Sequence, residues 1–180
     1  GWIYIRDASP WQRFFDLGQG PDSYLYCTPV GEERSSGCRV RMTARGDGQE
    51  AGPAAFRVSE GQWVHLATVL DTAQKTLSLY VNGVRVGQST DVPWSLTEIL
   101  NQDNPAANRL YIGKSLFEGD AYFGGKLYDV RFYSIALTDA QVAVIHHNAI
   151  SDEDMTVAED KTEKKPEVQQ EQGGRILVKG

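Results

Sequence analysis

The chain has 180 residues, 41% of them hydrophobic and 10% aromatic, with 18 glycines, a composition that suits one folded β-rich unit and excludes a fibrous or wholly disordered chain. A net charge of −6 argues against nucleic acid or an anionic membrane as the main partner, because counterion release needs clustered Lys and Arg. No run approaches the roughly 18 apolar residues that a membrane span needs, and with neither a signal peptide nor an initiator Met at Gly1 the chain is expected to be a piece of a longer precursor.

In chain order, "WIYIR", "RFFDLG" and "DSYLYCT" open the sequence with period-two alternation, the pattern of strands with one buried face. Cys27 and Cys38 flank the next turn, with ten residues between them. If their segments are antiparallel neighbours, a disulfide is geometrically feasible; the alternative is two half-buried thiols, and the spacing has no metal-ligand pattern. "CRVRMTA" continues as a strand into "ARGDG", whose Arg45-Gly46-Asp47 tripeptide could project from a turn for adhesion but recurs by chance in many proteins. "AAFRV" is a further short strand.

"QWVHLATVLD" has apolar residues on both faces and reads as a central strand. In this setting His65 is expected to be a hydrogen-bonded core residue rather than a base. "TLSLYVNGVRVGQS" is a hairpin, with Asn82-Gly83 suited to the positive φ angles of a type I′ turn. A polar loop follows, containing Trp94, Asn101, Asp103, Asn104 and Asn108. One large aromatic with several short donor-acceptor side chains is the inventory of a sugar site, since a sugar presents apolar C–H faces ringed by hydroxyls. The alternative is that Trp94 plugs the sandwich edge while the Asn side chains satisfy their own turns. "NRLYIGKS" and "GGKLYDVRFYS" are the last strands, separated by a glycine-rich loop that carries Glu118, Asp120 and Tyr122. Phe14, Phe15, Trp63, Leu79, Val81, Tyr111, Leu127, Val130 and Phe132 are assigned to the core.

A helix is expected in "LTDAQVAVIHHNAI", with Thr138 as cap and Gln141 as its capping-box partner, packed on the outside of the sandwich. His146 and His147 suit the C-terminal end of its dipole. These elements define a domain over 1–150, followed by a charged linker over 151–174 and a short strand signal over 175–180, "RILVKG". About ten short strands punctuated by Gly, Pro, Asn and Asp predict an all-β, two-sheet antiparallel sandwich with one short C-terminal helix.

"SPWQRFFDLGQGPDSYLYCTP", "GQWVHLATVLDTAQKTLSLYVNGVRVG" and "NRLYIGKSLFEGDAYFGGKLYDVRFYSIALTDAQV" together resemble the laminin-G-like, concanavalin A-like jelly-roll modules attached to secreted bacterial polysaccharide-degrading enzymes, the arabinofuranosidase type among them. The resemblance covers roughly residues 1 to 147 and implies a jelly-roll fold and a non-catalytic carbohydrate-binding accessory module. It implies a polysaccharide or oligosaccharide ligand, a catalytic neighbour in the same chain and an extracellular or periplasmic location. Trp11, Arg13, Asp120 and Tyr122 then lie near strand ends, with Tyr122 added to the loop set as a candidate ligand contact. The opening strands of such modules, with the acidic turn that often supplies calcium ligands, have no counterpart before "WIYIRD", which leaves calcium as an open cofactor.

Catalysis by the domain itself is not expected. A glycosidase needs two carboxylates roughly 5 to 10 Å apart across a cleft, and the nearest local pair, Glu118 and Asp120, sits in a loop without a further acid on one strand face. No nucleophile elbow, phosphate loop or paired-His zinc motif occurs. Two other readings accompany the sugar-binding one: a structural module packed on a catalytic neighbour, and an adhesion or protein-binding domain.

Overall fold

A computed structural model describes residues 1–44, 46 and 48–148, and Gly1–His147 pack as one compact unit. Nine strands run in chain order as β1 (Trp2–Asp7), β2 (Phe15–Gly20), β3 (Ser23–Thr28), β4 (Arg39–Thr43), β5 (Trp63–Asp71), β6 (Thr76–Val81), β7 (Val84–Ser89), β8 (Arg109–Ile112) and β9 (Gly124–Tyr128). Two helices, α1 (Leu96–Ile99) and α2 (Asp139–His147), and a 3₁₀ turn at Pro105–Ala107 complete the described elements. The strands form two antiparallel sheets, β7-β6-β5-β1-β9 and β4-β3-β2-β8. The fold is the expected jelly-roll sandwich.

Strand alternation places the core. In the five-stranded sheet Ile3, Ile5, Val64, Leu66, Leu77 and Leu79 point inward; in the other sheet Phe15, Leu25, Cys27, Val40 and Met42 meet them. Each fully buried aliphatic side chain contributes about 1.5–3 kcal/mol over leaving it in water. The β6–β7 turn is formed by Asn82 (φ 50°) and Gly83 (φ 78°), as type I′ requires. Asn82 also fastens the turn to β5: its Oδ1 accepts from the His65 N–H at 2.9 Å and its own N–H donates to the His65 carbonyl at 2.8 Å.

Helix α2 covers the outer face of the five-stranded sheet. Its start is the expected capping box, with the Thr138 N–H donating to Gln141 Oε1 at 2.8 Å and the Gln141 N–H donating to Thr138 Oγ1 at 3.3 Å. Its His146 ring stacks on Trp2 at 5.4 Å, and Trp2 meets His65 edge-on at 5.4 Å. Tyr80 Oη donates to Asp139 Oδ1 at 2.7 Å, which ties the other end of the helix to β6.

Several expectations are corrected. "AAFRV" is not a strand; Gly52 and Pro53 break its regularity, and residues 51–56 follow β4 through isolated bridges at Met42–Ala51 and Arg39–Ala54. The last strand ends at Tyr128 because Asp129 turns to φ 48°, and Phe132, assigned to the core, is 59% exposed. Cys27 and Cys38 are free and buried rather than bridged. The β3–β4 register sets Cys27 opposite Val40, so Cys38 lies on the diagonal instead of directly across. Burial pushes both thiols up, Cys27 to about 12 and Cys38 to about 11, which leaves them protonated and unreactive. Arg45 and Asp47 of the tripeptide, the linker over 151–174 and the strand signal over 175–180 lie outside the described residues.

Burial keeps His65 neutral, with its pKa lowered from 6.5 to about 3. Since the native pKa lies below the unfolded one, the associated stability is complete above pH 6.5 and is lost as pH falls toward 3. Urea unfolding should therefore show a loss of about 2 kcal/mol between pH 7 and pH 5 that His65→Phe abolishes. Replacing Asn82 and Gly83 by Val should lower stability by about 2–4 kcal/mol, because β-branched residues resist positive φ. A Cβ on Gly83 would also stand 3.0 Å from His146 Cβ. Thermal melting of the double variant checks this.

Candidate functional site

The outer face of the four-stranded sheet carries the polar and aromatic side chains. Antiparallel pairing puts Tyr111, Asp16, Tyr26 and Arg41 in one row across β8, β2, β3 and β4. A neighbouring row holds Arg109, Gly18, Tyr24 and Thr43, and on the other side Thr28 lies beside Arg39. The alternation that sends Leu25 and Cys27 into the core is what sends Tyr24 and Tyr26 outward.

Arg13 organises this face. It is 2% exposed, its guanidinium lies 3.9 Å from the centre of the Tyr26 ring, and it reaches Asp16 Oδ2 at 3.2 Å and Asp120 Oδ2 at 3.0 Å. Its Nη1 donates to the Trp11 carbonyl at 2.6 Å. Asp16 Oδ2 also accepts from the Leu116 N–H at 2.9 Å, and Ser115 Oγ donates to Asp120 Oδ2 at 2.8 Å. Burial raises the Asp16 pKa, opposed by the Leu116 N–H and by Arg13. These bonds fold the 115–123 loop over the sheet, so that Phe117 meets Tyr24 edge-on at 5.3 Å.

Around this roofed centre the surface is accessible. Trp11 sits half-buried at one end with φ 61°, a conformation that a bulky residue adopts only under constraint. Its N–H donates to the carbonyls of Val30 and Gly31, each at 3.2 Å. The Arg39 guanidinium lies 5.2 Å from the Trp11 ring centre, and its buried Nε–H has no hydrogen-bond partner. Along the β4 edge Glu50 accepts from Tyr24 Oη and lies 3.8 Å from Arg41 Nε. Burial and the Glu50 contact push the Tyr24 phenol up, and burial raises Tyr26 to about 12. At the β8 edge Lys114 stands 4.5 Å from the Tyr111 ring. Aromatic faces, guanidinium forks and one carboxylate can together stack on a sugar ring and clamp its hydroxyls.

The candidates read from the sequence are dispersed. Trp94 is half-buried and packs against the core. Asn101, Asn104 and Asn108 are brought together, but on one another. The Asn101 N–H donates to Asn108 Oδ1 at 2.7 Å, the Asn104 N–H donates to Asn101 Oδ1 at 2.8 Å, and Asn108 Nδ2 donates to the Asn101 carbonyl at 3.1 Å. Asp103 is exposed at the tip of this loop. Tyr122 is 70% exposed in the loop that Asp120 fastens to Arg13, apart in sequence from the Asn cluster. Arg13 and Asp120 are committed to each other. Tyr24, Tyr26, Arg39, Arg41 and Glu50 were not singled out from the sequence, although the alternation of Tyr24 and Tyr26 with Leu25 and Cys27 was a signal for an aromatic outer face. Among the described residues no group of three or more His, Cys, Asp or Glu is placed to hold a metal ion. Nor, among them, is any helix long and apolar enough to cross a membrane.

Residues 1–143 match a family profile, Laminin_G_3, described as the concanavalin A-like lectin/glucanases superfamily. No curated protein matches. Among solved structures, the CBM40 of the Ruminococcus gnavus IT-sialidase bound to α2,3-sialyllactose is similar at 14% identity and a TM-score of 0.66, over 81% of this chain and 79% of that one. Domain 4 of AbnA, a GH43 extracellular arabinanase from Geobacillus stearothermophilus, in complex with arabinotriose, is similar at 18% identity and a TM-score of 0.58, over 81% of this chain and 63% of that one. The leech intramolecular trans-sialidase is similar at 18% identity and a TM-score of 0.65, over 83% of this chain and 23% of that one. At these identities the likeness is one of fold.

Removing the buried cation should unlock the roof. Arg13→Met would leave Asp16 and Asp120 facing each other without a counter-charge, at an expected cost of about 3–5 kcal/mol in urea unfolding. Limited proteolysis should then cut the 115–123 loop in the variant before it cuts the parent.

Proposed function

The chain belongs to the Laminin_G_3 family of the concanavalin A-like lectin/glucanases superfamily, and from that premise we propose that it is a non-catalytic carbohydrate-binding accessory module of a secreted polysaccharide-degrading enzyme. The sugar lies on the outer face of the four-stranded sheet, at the end formed by Trp11 and Arg39. The observation that carries this reading is Trp11 itself: a large aromatic held at positive φ by two backbone hydrogen bonds, half-exposed, with an arginine beside it whose Nε–H has no partner. Strain of this kind persists where the surroundings hold it, and here it places an aromatic plate next to the Arg39 guanidinium.

The Trp11 ring takes the C–H face of a pyranose or furanose, while Arg39 and Arg41 donate to ring hydroxyls or to a carboxylate. Tyr122 stands at the rim. The structural neighbours support the reading, since the module and the domain described above were solved with sialyllactose and with arabinotriose. Trp94 and the Asn101, Asn104 and Asn108 cluster are taken as the support of the neighbouring loop, with Asp103 at its tip. The parent enzyme's catalytic domain and its export from the cell belong to the same proposal.

The test is binding of the isolated domain to a panel of arabinans, galactans and sialylated glycans, with calcium present throughout. Saturable binding to one class, weakened more than tenfold by Trp11→Ala with an unchanged melting temperature, is the expected result. No binding from a cooperatively folded sample would overturn the reading. Trp94→Ala serves as the contrast: it should lower the melting temperature through lost packing and leave affinity within about twofold.

A further inference from the structure

A guanidinium withdrawn from water is ordinarily paired with a carboxylate. Among the described residues three arginines are not exposed: Arg13, Arg39 and Arg41. Arg13 meets Asp16 and Asp120, and Arg41 Nε lies 3.8 Å from Glu50 Oε2. Arg39 has no carboxylate within ion-pair distance among the described residues, and its buried Nε–H has no hydrogen-bond partner. The polar groups around it are engaged elsewhere. Thr28, its neighbour across the β3–β4 ladder, donates its hydroxyl to the carbonyls of Gln12 at 2.5 Å and Val30 at 2.6 Å. The carbonyls of Val30 and Gly31 accept the Trp11 N–H. Glu32 and Glu33, which follow Gly31, are exposed, and the Glu33 carboxylate accepts from Ser35. A half-buried cation without a counter-charge is unfavourable for folding, since it gives up water and gains no anion.

The fold nevertheless makes room for this cation. A Cβ at Gly31 would overlap Arg39 Nη2 and stand 2.7 Å from Cζ and from Nε, so the guanidinium lies directly against the Gly31 backbone and any other residue there would displace it. Its centre is 5.2 Å from that of the Trp11 ring. Gly31 thus positions both groups: its carbonyl accepts from the Trp11 N–H, and its missing side chain gives Arg39 its place. A fork held in position before a ligand arrives loses little conformational freedom on binding. A neutral sugar would use Arg39 as a donor to hydroxyls and leave its charge uncompensated. A carboxylate supplies a planar pair of acceptors that matches the fork and also the missing charge.

We propose that the ligand of this site is a sugar that carries a carboxylate, a hexuronate or a sialic acid, with Arg39 reading its charge and Gly31 positioning Arg39. The proposal rests on the sugar-binding reading above and narrows it. The Trp11 ring stacks on the sugar while the carboxylate takes the Nη edge of Arg39. Arg41 does not compete for that charge: it has Glu50 beside it, and its Nη1 donates to the Val40 carbonyl at 2.9 Å, which leaves it to hydroxyls. Specificity then comes from a group whose charge is met only in the complex, so a ligand without the carboxylate leaves that charge as unpaired as before.

Calorimetry of the 180-residue protein with matched ligands tests the proposal: polygalacturonate against its methyl ester, sialyllactose against lactose, and a sulfated galactan against the unsulfated one. Binding of one carboxylated member about tenfold or more tighter than its uncharged counterpart is the expected result, and the pair that shows it identifies the source of the carboxylate. Gly31→Ala and Arg39→Gln should each abolish that preference. The melting temperature of Arg39→Gln should not fall, because the substitution removes an uncompensated cation. The matched pairs need no variant, so a substitution that fails to fold leaves the test standing. Equal binding of both members of every pair overturns this proposal and leaves the sugar-binding reading in place, whereas binding of no ligand, neutral or charged, overturns both. A preference that survives Arg39→Gln, or one shown for the sulfated galactan alone, also overturns the proposal.

Discussion

The outer face of the four-stranded sheet depends on one buried cation. Arg13 joins strand β2, through Asp16, to a loop about a hundred residues away, through Asp120, and lays its guanidinium over Tyr26. A charge this deep is expensive to desolvate, and such pairs add little net stability over an apolar filling. Their consequence here is geometric. With both carboxylates and the Trp11 carbonyl bound, the guanidinium leaves the 115–123 loop one way to lie, and Phe117 closes over Tyr24 and Tyr26. The accessible rim of Trp11, Arg39, Arg41 and Glu50 exists because that centre is fixed.

The two outer faces are thus closed by different means. On the five-stranded sheet a helix is seated by the rings of Trp2, His65 and His146 and anchored by Tyr80 and Arg85 on Asp139. On the four-stranded sheet a loop is pinned by ion pairs and leaves donors and aromatic rings at its margin. A helix cover suits packing, whereas a loop cover suits recognition, because loop residues can vary without disturbing the strands beneath.

Local signals carried much of the fold into the sequence. The Asn82-Gly83 turn and the Thr138–Gln141 box are legible because their chemistry is satisfied within four residues. Strand alternation located Phe14, Phe15, Leu79 and Val81 in the interior, where they are found. It failed at Phe132, since the turn at Asp129 takes the chain out of the strand geometry on which alternation rests. The sugar-site inventory in the 94–108 loop was legible as composition only. Whether an Asn side chain faces a ligand or its own turn depends on backbone geometry, and here Asn101 and Asn108 bond to each other.

The sequence by itself determined the sandwich, its hairpin, its capped helix and its family, because periodicity, turn chemistry and motif spacing are properties of neighbouring residues. Only the tertiary structure decided that Arg13 is consumed by Asp16 and Asp120, that Cys27 and Cys38 miss each other by one diagonal, and that Trp11 is the aromatic held at positive φ beside Arg39. Each of these rests on which strands lie side by side and in what register. Register is set by the summed burial of a whole face, which no short stretch of residues contains.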